Sequence, residues 1–190
     1  KIKATALESP SAQTSHIDQK TLAVTKQNSP LLEIELHVNE VLLTPNIAES
    51  LLPDLINEIL KLPNYQQLPL IQKLLVEYPY NAQLLIAEAQ VFEVTGENIS
   101  ALENYNQAIL FANTEALQSR AKLRFLSLIK RVSNDLLIER RGNEVLDLYN
   151  KYEATIVDVD QWSEFHSNIA KVLLEQKDHL SIELFIEKWK

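Results

Sequence analysis

Residues 84–110 read LLIAEAQVFEVTGENISALENYNQAIL, and the reading of this stretch decides the fold. Leu84 to Val94 has the spacing of a helix, with Leu85, Ala89 and Phe92 on one face. Gly96-Glu97-Asn98 follows as a tight turn, since Gly is the residue that most often ends a helix. A second helix then carries Ala101, Tyr105 and Ala108 along one face, followed by Ile109 and Leu110. The two small residues let paired helices approach closely, and the aromatic ring between them fills the gap. The stretch is a helix–turn–helix unit.

Working upstream, Gln66 to Glu77 forms a helix with Leu70, Ile71, Leu74 and Leu75 on one side. Pro69 falls in its first turn, where a missing N–H does least harm. Tyr78-Pro79-Tyr80-Asn81 ends it, and Leu62-Pro63-Asn64-Tyr65 separates it from a helix spanning Asn46 to about Lys61. Before that, Leu32, Ile34, Leu36 and Val38 alternate with polar residues, which by itself is a strand pattern. The competing reading is a helix, with Ser29 as N-cap, Pro30 at the first helical position and Val41-Leu42-Leu43 continuing the apolar pattern. No partner strand is evident elsewhere, so helix is the expectation. Residues 1–29 are polar and aperiodic around Glu8 to Ser15 and read as a flexible leader or linker. Downstream, Glu115 to Val132 is expected to be one helix. Asp135 to Tyr152 is expected to be its partner, kinked or broken near Gly142. Gln161 to Glu175 and Asp178 to Lys190 form a last pair, with Phe165, Ile169, Val172, Ser181 and Phe185 as contacts.

The chain's 190 residues can bury a sizeable core. Two Gly and seven Pro are too few for a fold built on tight turns or phosphate loops. The net charge of −8 and a sequence pI near 5.1 disfavour nucleic acid as a partner. Having no Cys, the chain has no disulfide, thiolate or Cys-ligated zinc chemistry. No apolar run approaches the ~18 residues of a membrane span, and no signal-peptide core is present. With no Met at residue 1 and a helical pattern running to Lys190, the chain reads as a piece of a longer protein. A polar leader on a processed chain slightly favours a periplasmic or membrane-anchored location over a cytoplasmic one.

The turn at Gly96 together with Ala101, Tyr105 and Ala108 resembles the tetratricopeptide repeat, a helix–turn–helix unit of about 34 residues. Pro79 matches the proline that commonly precedes a repeat, and Asn113 takes that place 34 residues later. The match is clearest over residues 82–115. It departs at Leu85, where Trp is typical, at Asn113, where Pro is typical, and at Glu88, where Leu is usual. Gln67, Ile71 and Leu74 have the spacing of the second helix of a preceding repeat. The resemblance implies an all-α solenoid of antiparallel helix pairs over residues 30–190, wound as a right-handed superhelix; an irregular helical bundle is the alternative. In the family the first helix of each repeat lines a concave groove. That register places Gln83, Ile86, Gln90 and Glu93 from one helix beside Leu117, Arg120 and Arg124 from the next. Ile86 and Leu117 would be apolar anchors, and two guanidinium groups would clasp a carboxylate of a peptide. The plainer reading of the arginines is a solvated face, paired with Glu88, Glu93 or Glu115.

Catalytic signals are weak. The chain contains no P-loop, no Gly-x-Gly-x-x-Gly and no Gly-x-Ser-x-Gly. His16, His37, His166 and His179 form no metal-ligand pair, and His166, near Trp162 and Phe165, reads as a packing or surface residue. Asp160 suits a helix N-cap beside Asp158, in a segment with too few oxygen ligands for calcium. Asn98-Ile99-Ser100 fits the glycosylation sequon, a short and unspecific pattern. Lys130, Arg131, Arg140 and Arg141 add basic character without interleaved aromatics, so nucleic-acid binding is not expected. The expected function is a non-enzymatic protein- or peptide-binding scaffold with no cofactor and no metal. The alternative is an accessory or spacer domain of a larger bacterial protein, membrane-anchored or enzymatic. A self-contained helical enzyme ranks third.

Overall fold

The computed structural model describes residues 29–156, 166–167, 170–171, 173–174, 177 and 179–188. The leader before Ser29, the acidic pair Asp158 and Asp160, and Trp162, Phe165, Ile169 and Val172 lie outside the described residues, as does the side chain of Ser181. Eight helices have described bounds: α1 Pro30–Leu43, α2 Pro45–Ile59, α3 Asn64–Glu77, α4 Ala82–Thr95, α5 Asn98–Phe111, α6 Glu115–Ile138, α7 Gly142–Ile156 and α8 His179–Lys188. No strand occurs among the described residues, so the protein is all-α there. From α1 to α7 the connections are one to four residues long. Connections that short return the chain on itself and set successive helices antiparallel.

The alternating segment Leu32–Val38 is helical. Its buried residues are Ile34, Val38 and Val41, spaced four and three apart, while Leu32 and Leu36 remain about half exposed at 52% and 54%. A strand would have buried all the even positions together. Pro30 sits at the helix start, and the Ser29 carbonyl accepts from Leu32 N–H at 2.8 Å. The Ser29 side chain makes no capping bond. Helix α3 begins at Asn64, two residues before the expected start. Pro63 occupies the cap position with extended backbone, where its missing N–H costs nothing.

The α4–α5 hairpin follows from local chemistry. Asn81 was expected only to close the preceding helix; its Oδ1 accepts from the N–H groups of Gln83 at 3.0 Å and Leu84 at 3.1 Å, capping α4. Gly96 closes α4 at φ 86°, and the next N–H, from Glu97, returns to Phe92 O at 2.8 Å. Across the hairpin Ala89, Ala101, Tyr105 and Ala108 are fully buried.

Helices pack against their sequence neighbours and against the helix two along: α1 on α3, α2 on α4, α4 on α6. The even helices α2, α4 and α6 thus lie side by side, as do α1 and α3. Helix α4 is the shared wall. Leu84, Ala87 and Val91 join the core built with α1–α3, while Leu85, Ile86 and Ala89 join the core built with α5–α8. A helix buried on both sides has no wide polar face, and α4 has few polar residues. The exception is Glu88, itself buried. Its carboxylate accepts from Gln72 Nε2 on α3 at 3.0 Å and from Asn104 Nδ2 on α5 at 2.6 Å. Leucine there would be compatible with burial, but would tie α3 to α5 by no hydrogen bond.

The expected boundary at Val132–Asp135 is not observed. Helix α6 runs 24 residues, to Ile138. Ser133-Asn134 contains neither Pro nor Gly, and Val132, Ser133 and Leu137 extend the buried face through it. The break falls instead at Arg140, which adopts φ 61°. The N–H of Arg141 reaches back to Leu136 O at 2.8 Å, the same closure that Glu97 makes at the end of α4. Arg140 thus takes the left-handed position that Gly96 takes in the first hairpin, and Gly142 merely opens α7. A side chain in that conformation costs ~1 kcal/mol. Arg140→Gly is expected to raise stability by up to about 1 kcal/mol, or ~2–4 °C in Tm by calorimetry. Gly96→Ala is expected to lower stability by a similar amount through backbone strain alone, because a Cβ there meets nothing within 4 Å.

Candidate peptide-binding groove

A small pocket lies between the even helices, where the sequence places a candidate groove. It measures about 90 Å³ and is walled by Pro53, Ile56, Asn57 and Leu60 at α2, by Gln83, Ile86, Ala87 and Gln90 on α4, and by Leu117 and Arg120 on α6. Five of the seven residues singled out in the sequence, Gln83, Ile86, Gln90, Leu117 and Arg120, therefore meet on one wall. The wall is periodic: positions 53 and 87, 56 and 90, 83 and 117, and 86 and 120 are each 34 residues apart. Successive helices of one layer thus meet the pocket at equivalent register.

The residues differ in what they offer. Ile86 is only 2% exposed and closes the floor, so it is a packing residue rather than a projecting anchor. Leu117 is half-buried, held near the start of α6, where Thr114 Oγ1 accepts from its N–H at 3.3 Å. Asn57, Gln83 and Gln90 bring side-chain amides, which both donate and accept. Arg120 is exposed and makes no ion pair among the described residues.

Glu93 and Arg124 do not line this pocket. Glu93 accepts from the Tyr105 hydroxyl at 3.0 Å and pairs with Arg131 at 3.2 Å, so its carboxylate is committed within the fold. The Tyr105 hydroxyl is pushed well above its usual range by burial first and by Glu93 second; Arg124 and Arg120 pull weakly the other way. Arg124 is exposed and, like Arg120, makes no ion pair among the described residues, so the plainer pairing with Glu88, Glu93 or Glu115 is not observed. Pro53, Ile56 and Asn57 of α2, Leu60 just after it, and Ala87 of α4 were missed in the sequence; stepping back 34 residues from Gln90 would have found Ile56.

Arg131, Arg141 and Lys151 are each ion-paired. Arg141 Nε donates to Glu144 at 2.6 Å and its Nη1 to Glu139 at 2.7 Å. The Glu144 carboxyl is held below its usual value by the Arg141 hydrogen bond. Lys151 pairs with Glu103 and lies over the Tyr152 ring. Asn98, of the sequon, is the first residue of α5 and accepts from Arg131 at 3.4 Å. His37 bridges α1 to Glu58 of α2 at 3.2 Å. His166 packs with Tyr149 and Phe185, each ring centroid 5.8 Å away, and burial pushes its pKa below the usual value. Among the described residues no group of His, Cys, Asp and Glu has the arrangement of a metal site, and no helix is long and apolar enough to cross a membrane.

Fold and groove together define an all-α helical array with an amide-rich wall between alternate helices. The chain matches no protein-family model, no curated protein and no solved structure.

Proposed function

We propose that this chain is a non-enzymatic scaffold that binds a protein segment along the even-helix layer, its helix pairs stacking as a tetratricopeptide-like solenoid with right-handed winding. One observation carries the reading: residues 34 positions apart, drawn from three alternate helices, form one continuous wall. A repeating wall suits an extended ligand, which meets the same register at each step. The packing pattern supports it as well, because helices associate with near neighbours in sequence. Amides at Asn57, Gln83 and Gln90 match the donors and acceptors of a peptide backbone. Arg120 and Arg124 supply charge for a carboxylate at one end. The pocket itself, about 90 Å³, is too small to enclose a metabolite-sized substrate, so a ligand at this wall would lie along the surface.

The test is selection of a random peptide display library on the protein, with each enriched peptide measured by isothermal titration. Arg120→Glu is expected to weaken the selected peptides at least tenfold while leaving Tm unchanged, since the side chain is exposed. Failure to enrich any peptide, or affinities indifferent to Arg120→Glu and Gln90→Ala alike, would overturn the assignment.

A further inference from the structure

A second cavity lies away from the groove. It measures about 520 Å³ and is bounded by the turn before α5, the C-terminal part of α6 and the N-terminal part of α7. On α6 its nearest wall residue on one flank, Val132, is 12 positions beyond Arg120, and Asp135 is 15 positions beyond, so the two sites sit about 18–22 Å apart along that helix. The cavity exists because α6 is long. Its extra turns, Ser133 to Ile138, stand against the start of α7 and leave a cleft beneath the α4–α5 turn.

The lining is apolar where it is buried, at Val132 and Leu148, and acidic where it is exposed. Ile99, Val132, Leu136 and Leu148 supply the apolar surface. Asp135, Glu139, Glu144 and Asp147 supply four carboxylates, against Arg141 and Lys151. Both cations are already engaged: Arg141 with Glu139 and Glu144, Lys151 with Glu103 outside the lining. Asp135 and Asp147 have no ion pair and no side-chain hydrogen bond among the described residues. The cleft therefore keeps two uncompensated negative charges beside its apolar lining.

We infer that this cleft docks a partner protein segment through an arginine or lysine side chain. Such a side chain has the complementary shape: an alkyl stem that covers apolar surface and a cationic head that stays at the rim. An acidic or purely apolar segment would leave Asp135 and Asp147 uncompensated and partly stripped of water, at a cost. The inference is independent of the groove reading, since the two sites share no residue and prefer opposite charges.

The probes are a short arginine-bearing peptide and the same peptide with citrulline, which keeps the shape and removes the charge. Binding is followed by amide chemical shifts of the isotope-labelled protein. The arginine peptide is expected to give saturable shifts at Ile99, Leu136 and Leu148. Citrulline is expected to weaken binding at least tenfold, and the exposed double substitution Asp135→Asn/Asp147→Asn to do the same with the peptide unchanged. Arg120→Glu is expected to leave it intact. Shifts absent from these residues, equal shifts with citrulline, or full binding by the double variant would overturn the assignment.

Discussion

Tyr105→Ala is expected to cost about 3–5 kcal/mol of stability, read as a lowered urea midpoint with an unchanged slope. The ring is fully buried between α4 and α5, so its removal leaves a cavity that the flanking Ala101 and Ala108 are too small to fill. Tyr105→Phe keeps the ring and loses only the hydrogen bond to Glu93, which retains Arg131. That change is expected to cost ~1 kcal/mol. The same pair reports on pH. The buried hydroxyl resists ionisation in the folded state, whereas in the unfolded chain it ionises near pH 10. Stability is thus fully present below pH ~10 and declines above it, because only the unfolded state sheds the proton. Tyr105→Phe should flatten that alkaline decline without removing it, since burial raises Tyr149 as well. An alanine variant as stable as its parent would mean that the ring does not hold the hairpin together.

Ala101→Leu is the second large effect. Ala101 is fully buried where α5 meets its neighbours. Leucine forms helix almost as readily as alanine, so propensity cannot account for a loss. The added atoms must displace packed neighbours, at about 1–3 kcal/mol or more. Ala116→Leu, on the exposed side of α6, is the control and is expected to stay within ~0.5 kcal/mol of the parent. Thermal melts of the two variants separate close approach from composition. Equal Tm values would remove the argument that small residues set the α4–α5 spacing.

The hairpin was legible because its signals are local. A glycine at the end of one helix and a small–aromatic–small stripe on the next need no knowledge of the rest of the chain. Leu32–Val38 was ambiguous for the opposite reason. Period two and period 3.6 coincide over so short a run, and only the burial of Ile34, Val38 and Val41 together separates them. The break near Gly142 was legible, although the left-handed residue is Arg140, whereas the boundary expected at Val132–Asp135 had no Pro or Gly behind it. The register that the resemblance implies brought five of the seven candidates onto one pocket wall. What the sequence could not convey was commitment: Glu93 reads as a groove carboxylate until Tyr105 and Arg131 are found on it. The acidic cleft was invisible, because it depends on how far α6 overshoots its neighbours.

Helix α4 belongs to two cores at once, through Leu84, Ala87 and Val91 on one flank and Leu85, Ile86 and Ala89 on the other. Strain placed on either end of the molecule therefore arrives at the same fourteen residues. Melting this central helix exposes both interiors together. The array thereby behaves less like beads on a string than like two leaves sharing one spine.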